Sequence, residues 1–441
     1  MKPMNKMVTR RGFLRTTGGV AAATAMTARS YAAAAGANDR INIAVVGCGG
    51  IMEKGHLKPL MELREPENIS LAVVCDVYET RAKNIQAAIK EGGRAEPKLV
   101  RDYHEALAMK DIDYVLFCTP EHWHAKNVLD ALDAGKHVYV EKPMTHTIPE
   151  ALAVVAKARE KKDLRLQVGV QGMSDQTYLR AHEAIVAGKL GTVVHAQIEY
   201  CRRYDLSEGP WRGRTKPDAP KPADLDWERW LGPAPRREWY APRYFEWRNY
   251  KDYSGGIGTD LFVHRLSRII KSCGLAFPKT VAGQGGIYIW KDDRELPDNF
   301  QMVAEYPAIE GVTNGMTVHI LGTMANRYKY DHAIRGYKAT LVFGGKGGGW
   351  QIFEEGSGKL LETYTRQGGE EIGLHHKNHF AAIRKGVELN CPAELGLYAV
   401  VGVRMANLSW FQRRLLAWDD KAGKVVPAEV VDPPAQPVEL G

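Results

Sequence analysis

Four short apolar runs recur through the first third of the chain: Ile41 to Val46, Leu71 to Cys75, Tyr114 to Cys118 and His137 to Val140. Their near-continuous hydrophobicity predicts strands buried on both faces rather than on one. Between them lie amphipathic stretches, Tyr78 to Lys90, Tyr103 to Ala108 and Trp123 to Ala134, the last closed by Gly135, a residue suited to a left-handed helix stop. Strand, helix and strand in repeated order dictate a parallel, doubly wound sheet with helices on both faces.

The texture changes after a further helical stretch, Ile148 to Lys161. Arg165 to Val170 reads as a last parallel strand, and Thr177 to Ala187 as a helix closed by Gly188. Residues 202–250 are rich in Pro, Arg and Trp, and hold five of the ten tryptophans (Trp211, Trp227, Trp230, Trp239 and Trp247). Such a segment either stacks sugar rings and binds acidic substituents, or packs on the sheet or a second subunit. The β-type runs that follow, from Val281 to Phe343, are separated by Gly and Asn turns and predict an open, mainly antiparallel sheet. Two helical segments, His376 to Arg384 and Leu395 to Arg414, close the chain. The expected fold class is therefore α/β: a doubly wound Rossmann domain over 37–160, followed by an α+β domain with an open antiparallel sheet over 161–441.

The net charge of +8 would suit a nucleic-acid partner if it were spread over the chain. Residues 1–36 hold six basic residues and no acid, so only +2 remains on the rest, and no nucleic-acid partner is expected. The leader reads Thr9-Arg10-Arg11-Gly12-Phe13-Leu14-Arg15, followed by a weakly apolar stretch and small residues from Ala32 to Ala35. It resembles a twin-arginine export signal, with Arg15 in place of the usual lysine, and predicts an exported, periplasmic or extracytoplasmic bacterial protein. No segment has the roughly 20 apolar residues of a membrane span. The six cysteines are dispersed without a paired motif and read as small buried hydrophobes.

Val45-Val46-Gly47-Cys48-Gly49-Gly50-Ile51-Met52 follows a strand and opens a helix, the context in which a glycine fingerprint binds a dinucleotide. Gly47 permits the tight turn, and Gly49 lets the backbone approach a pyrophosphate at a helix N-terminus. Met52 occupies the third glycine position, for which Gly50 partly compensates. Asp76 ends the second strand, where a carboxylate accepts ribose hydroxyls and repels a 2′-phosphate; this favours NAD over NADP.

Thr119-Pro120-Glu121-His122-Trp123-His124 after the fourth strand, Glu141-Lys142-Pro143 after the fifth, and Gly255-Gly256 before Asp260 and His264 complete a pattern. With the glycine loop, it resembles the Gfo/Idh/MocA oxidoreductases over essentially the whole chain after the leader. The resemblance implies a cofactor lined by Gly47, Gly49, Gly50, Ile51, Asp76, Thr119, Pro120, His122, His124 and Glu141, and catalysis by Lys142, His264 and Asp260. In such enzymes the lysine lies beside the nicotinamide and the sugar hydroxyl. Asp260 and His264, four apart, share one helix face, where an imidazole relays a proton and a carboxylate either orients the substrate or holds the imidazole in place. Ser267 departs from the family, which commonly carries Asp there.

His375, His376 and His379 lack an accompanying carboxylate or cysteine at metal-ligand spacing; no metal site is expected, and a solvated helix start or a contact at the pocket rim is the reading. The function expected is NAD-dependent oxidation of a secondary hydroxyl of a sugar, glycoside or polyol, with the cofactor held tightly and recycled. A redox-neutral NAD-dependent glycosidase, working by oxidation, elimination, hydration and re-reduction, is the alternative; a non-catalytic sugar-binding module is the second. The expected partners are a small carbohydrate and further copies of the same chain in a homo-oligomer.

Overall fold

The predicted strands, Arg165 to Val170 included, form five strands of one six-stranded parallel sheet, completed by the short β3: β1 (Ile41–Val46), β2 (Ile69–Cys75), β3 (Lys98–Val100), β4 (Tyr114–Phe117), β5 (His137–Glu141) and β6 (Leu166–Gly169), in the order β3-β2-β1-β4-β5-β6. The computed structural model describes residues 39–92, 95–212, 215–344 and 348–429, so the leader and its paired arginines lie outside the described residues. All four residues of β4 are buried, as expected of a strand covered on both faces. The neighbours β1 and β4 send their connections in opposite directions, which opens a crevice at their carboxyl ends. Because β6 pairs in parallel with β5 through Val138↔Leu166 and Glu141↔Gly169, the first sheet runs past the expected boundary at residue 160.

The second sheet has ten strands: β7 (Val193–Cys201), β8 (Thr280–Gly286), β9 (Asn299–Tyr306), β10 (Met316–Thr323), β11 (His332–Gly336), β12 (Ala339–Phe343), β13 (Trp350–Glu354), β14 (Leu360–Tyr364), β15 (Leu416–Asp419) and β16 (Lys424–Pro427). Its order is β14-β13-β12-β11-β7-β10-β9-β8-β15-β16, antiparallel except for the β7–β10 pair. Along β9 the residues alternate: Phe300, Met302, Ala304 and Tyr306 are buried while Val303 faces out, so one face of the sheet packs on helices. The helix Ala393–Gln412 lies against both this sheet and the first domain's helix Ile148–Glu160, and joins the two units into one core.

The Trp-rich segment packs rather than waves in solvent. Leu225, Trp227, Trp230, Leu231, Tyr244, Tyr250 and Tyr253 form their own buried cluster, with Trp227 stacked on Trp230 at 4.9 Å between ring centroids. All six cysteines are buried and free.

The helix Ile372–Lys385 corrects the reading of its three histidines. It returns to cover the first sheet, so His375, His376 and His379 are fully buried instead of forming a solvated helix start. His375 Nε2 donates to the Val168 carbonyl at 2.9 Å and His379 Nε2 to that of Arg165 at 3.2 Å. Burial pushes the imidazole of His375 down to about 4 and that of His379 to about 3. Both are therefore neutral in the folded protein, while in the unfolded chain they titrate near 6.5. Below that pH the unfolded chain binds protons that the fold refuses, so stability must fall with acidification, by up to about 1.4 kcal/mol per histidine per pH unit. Scanning calorimetry from pH 7 to pH 5 should show a falling melting temperature, with a shallower slope in His379→Gln; a melting temperature flat over this interval would contradict the burial of neutral histidines.

Candidate active site

Gly47 leaves β1 at φ +91°, and a side chain there would stand 2.7 Å from the Cys118 carbonyl carbon and 2.8 Å from the Thr119 nitrogen. Only glycine permits the end of β4 to press against the turn. Gly50, by contrast, has nothing within 4 Å of its missing side chain, and Gly49 meets only Arg81 Nη1 at 3.8 Å. This open side of the loop faces a cavity of about 580 Å³. Of the residues expected there, Gly47, Gly49, Gly50, Ile51, Asp76, Thr119, Pro120, Glu141 and Lys142 line it.

Asp76 sits almost buried at one end, its two oxygens accepting from the Cys48 amide at 2.6 Å and the Tyr78 amide at 2.8 Å. Burial raises its pKa, against the pull of those amides and of Arg81. Across the cavity stand Trp230, Tyr244, Phe245 and Trp247, so the aromatic segment roofs the crevice. The Arg81 guanidinium is caged by Tyr78, Tyr244 and Phe245 at 5.6, 5.1 and 5.9 Å from the ring centroids.

His122 and His124 do not line the cavity, which corrects the expectation that they touch the cofactor. His122 is buried against Trp230 and Tyr253 and donates to the Trp230 carbonyl. His124 reaches the carbonyls of Pro143 at 2.6 Å and Thr119 at 2.8 Å. Both pin the turn that shapes the crevice. Glu121, at the start of the same helix, accepts from Ser254 Oγ at 2.7 Å and the Gly255 amide at 3.2 Å. It thereby clamps the Gly255-Gly256 loop, whose Gly256 takes φ +62°.

That loop launches a wide helical turn, Ile257–Phe262, continued by the helix Val263–Cys273, and this carries Asp260 and His264 one turn apart. Lys142 Nζ donates to Asp260 Oδ1 at 2.8 Å and to the Asp260 carbonyl at 2.9 Å. Arg248 Nε donates to the same Oδ1 at 2.8 Å. Burial alone would raise the Asp260 pKa, but Arg248 and Lys142 hold the carboxyl well below the usual range. His264 is pushed well down by burial and then by the charges of Lys142 and Arg268, and so stays a neutral imidazole. Lys142 and Asp260 are thus in direct contact, with His264 one helical turn beyond Asp260.

Two models of one sequence family match the chain in tandem: "Oxidoreductase family, NAD-binding Rossmann fold" over residues 41–170 and "Oxidoreductase family, C-terminal alpha/beta domain" over residues 177–272. The chain belongs to the Gfo/Idh/MocA oxidoreductase family. Among solved structures, the oxidoreductase domain protein from Kribbella flavida superposes with a TM-score of 0.64 at 20% identity, covering 85% of this chain and 98% of that one. The aldose-aldose oxidoreductase from Caulobacter crescentus, complexed with glycerol, does so with a TM-score of 0.63 at 16% identity, covering 86% and 99%. Among curated relatives, a glycosyl hydrolase family 109 protein of Shewanella putrefaciens is 27% identical over 187 residues, and the alpha-N-acetylgalactosaminidase of Shewanella oneidensis is 26% identical over 187. Each of these two matches covers 39% of this chain and 40% of the relative.

Within this Gfo/Idh/MocA site, the sequence analysis missed three partners. Arg248 comes from the Trp-rich segment, whose lack of periodicity hides its inward face. His56 and His376, which lie 320 residues apart, share a hydrogen bond of 2.8 Å; His56 Nε2 reaches Glu141 Oε1 at 3.0 Å, and His376 Nδ1 lies 3.3 Å from the Tyr114 hydroxyl. Burial would raise the Glu141 pKa, yet the His56 hydrogen bond and the neighbouring charges lower it, so the carboxylate is ionised. Tyr114 then donates to His376, His376 to His56 and His56 to Glu141, a chain with every proton assigned.

The glycine loop offers a paired test of the crevice. Gly47→Ala places a methyl group into the backbone of Cys118 and Thr119, and should cost about 2 kcal/mol or more in stability or abolish dinucleotide binding. Gly50→Ala meets no protein atom, so its stability should stay within about 0.5 kcal/mol of the parent while dinucleotide affinity falls. Thermal melts and dinucleotide titrations of both variants check this; equal melting temperatures would contradict the geometry of the turn.

Proposed function

We propose that the protein is an NAD-dependent oxidoreductase acting on a secondary hydroxyl of a sugar, glycoside or polyol. The observation that carries this reading is the placement of Lys142 in the cavity wall, anchored by Asp260, with neutral His264 one turn further along. The crevice suits a dinucleotide: glycines open toward the cavity, and a buried carboxylate, Asp76, waits at the far end. When bound, the nicotinamide supplies the hydride acceptor.

Two of the three ammonium hydrogens of Lys142 are taken by Asp260, which leaves the third for the substrate oxygen. As the C–H bond breaks, the hydroxyl oxygen gathers negative charge, and the ammonium group stabilises it. His264 takes the hydroxyl proton, so the C–O bond becomes a carbonyl and the imidazole leaves the step protonated. Asp260 holds Lys142 in place through both of its contacts. In the reverse direction His264 returns the proton.

The specificity for NAD rests on Asp76. Asp76→Ala should weaken NAD by about 1 to 3 kcal/mol, the range for a hydrogen bond to a charged group, and weaken NADP less. Titration with both dinucleotides decides it, and equal losses would refute the ribose role.

The names of the Shewanella relatives favour a second reading, in which the oxidised sugar loses its aglycone by elimination and is then hydrated and re-reduced, a net hydrolysis. Turnover in deuterated water separates the two. An ordinary dehydrogenase leaves NADH absorbance standing after a sugar or polyol is added. The glycosidase cleaves a nitrophenyl glycoside without net NADH and places solvent deuterium beside the transiently oxidised carbon. In either case Lys142→Met should lower the rate by about 10²- to 10⁴-fold and spare dinucleotide affinity. Full activity in that variant would remove Lys142 from the chemistry.

A further inference from the structure

The helix that carries Asp260 and His264 also carries Arg265 and Arg268, and the two differ in one respect. Arg268 has a counterion: its Nη2 donates to Glu370 at 2.6 Å, and the Tyr178 hydroxyl holds the other Glu370 oxygen at 3.0 Å. Arg265 has no carboxylate within ion-pair distance among the described residues. Its Nε donates to the Glu199 backbone carbonyl at 2.7 Å, and its guanidinium lies 4.4 Å from the ring centroid of Tyr200. The Glu199 carboxylate is turned elsewhere, to His332 at 3.2 Å and to the Cys201 amide.

A second guanidinium shares that ring. Arg202, just past the end of β7, lies 4.7 Å from the Tyr200 centroid, and its nitrogens donate to the hydroxyls of Tyr200 at 2.5 Å and Tyr204 at 3.3 Å. It too has no carboxylate partner among the described residues. The ring of Tyr200 is thus occupied by two cations. Burial pulls the Arg265 guanidinium down to about 10, with the charge of Arg268 adding to the effect, as expected of a cation that has lost water without gaining an anion. Both groups adjoin the catalytic helix: Arg265 directly follows His264 in Val263–Cys273, and Arg202 shares the Tyr200 ring with Arg265.

The excess of positive charge continues outward. Tyr204, which receives Arg202, also lines a groove of about 900 Å³ walled by Arg203, Arg327 and Lys329. Its one carboxylate, Asp205, is engaged by Ser207.

Resting on the oxidoreductase reading above, we propose that Arg202 and Arg265 form an anion subsite beside the reacting hydroxyl, and that the substrate is an acidic sugar whose carboxylate or sulfate group they clamp. A guanidinium fork matches either group through two parallel hydrogen bonds, and a planar carboxylate or a sulfate brings the missing counter-charge into the half-buried site. The basic groove receives further acidic units of a longer chain.

The test is calorimetric titration of the protein with its dinucleotide bound. Glucuronate, galacturonate and glucose 6-sulfate are compared with glucose and galactose, each followed for NADH absorbance. At least one acidic sugar should bind about tenfold or more tighter than its neutral counterpart, the range for a charge-assisted contact. The uronate and sulfate arms show which group is clamped. In Arg265→Gln, and separately in Arg202→Gln, whose side chain is exposed and whose replacement spares the fold, the ratio of acidic to neutral affinity should collapse toward one. Equal affinity for acidic and neutral sugars, no detectable binding of any acidic sugar, or a ratio untouched by both substitutions overturns the subsite. Arginine-dependent binding without NADH from any sugar keeps the subsite and sinks the dehydrogenase; NADH formed equally from neutral and acidic sugars does the opposite.

Discussion

One carboxylate gathers the site. Asp260 Oδ1 accepts from Lys142, which directly follows β5 of the first sheet, and from Arg248, which belongs to the aromatic segment roofing the crevice. Asp260 itself stands in the wide turn launched from the loop that Glu121 clamps. The end of the first sheet is therefore held against the stretch from Arg248 to Asp260, more than 100 residues further along the chain, by a single charge cluster. Taking such charges out of water is costly, and the mutual attraction offsets that cost only while all the partners are present. Removing the carboxylate would leave Lys142 and Arg248, both at the cavity wall, without their shared counterion.

The same arrangement sets the electrostatics of the reaction. In the proposed reaction the Lys142 ammonium faces the oxygen that gains charge, while burial first, and then the charges of Lys142 and Arg268, keep His264 a neutral imidazole. On the other side of Lys142, the buried relay from Tyr114 through His376 and His56 fixes the ionised Glu141 carboxylate. Gly169 makes room for it: a side chain there would fall 2.7 Å from Glu141 Oε1.

The fold was legible because its strongest signals are local. Continuous apolar runs said that β1, β2, β4 and β5 are covered on both faces, and the alternation with helices said that the sheet is parallel. The strand β6 was legible too, in the run Arg165 to Val170, but the change of texture after Lys161 drew the boundary ahead of it. In the site, Gly47 and the Asp260–His264 spacing were legible for the same local reason. Arg248 was not, since the segment around it has no periodicity to show which side chains face inward, and the His56–His376 pair was not, since it arises only when residues 320 apart in sequence meet. His122 and His124 were misassigned because a motif gives position along a helix without giving its inward face. The histidines of Ile372–Lys385 look solvated beside Lys377 and become core only because the helix lies across Tyr114 and Tyr139.

A crystal structure of the protein grown with NAD tests the central claim most directly. The account predicts the pyrophosphate on the backbone of Gly49 and Gly50, the adenosine ribose on Asp76, and the nicotinamide against Lys142 with Asp260 still bound to the lysine. A dinucleotide lying in the reverse sense, with its nicotinamide beside Asp76, or one that leaves Lys142 out of reach, would contradict it.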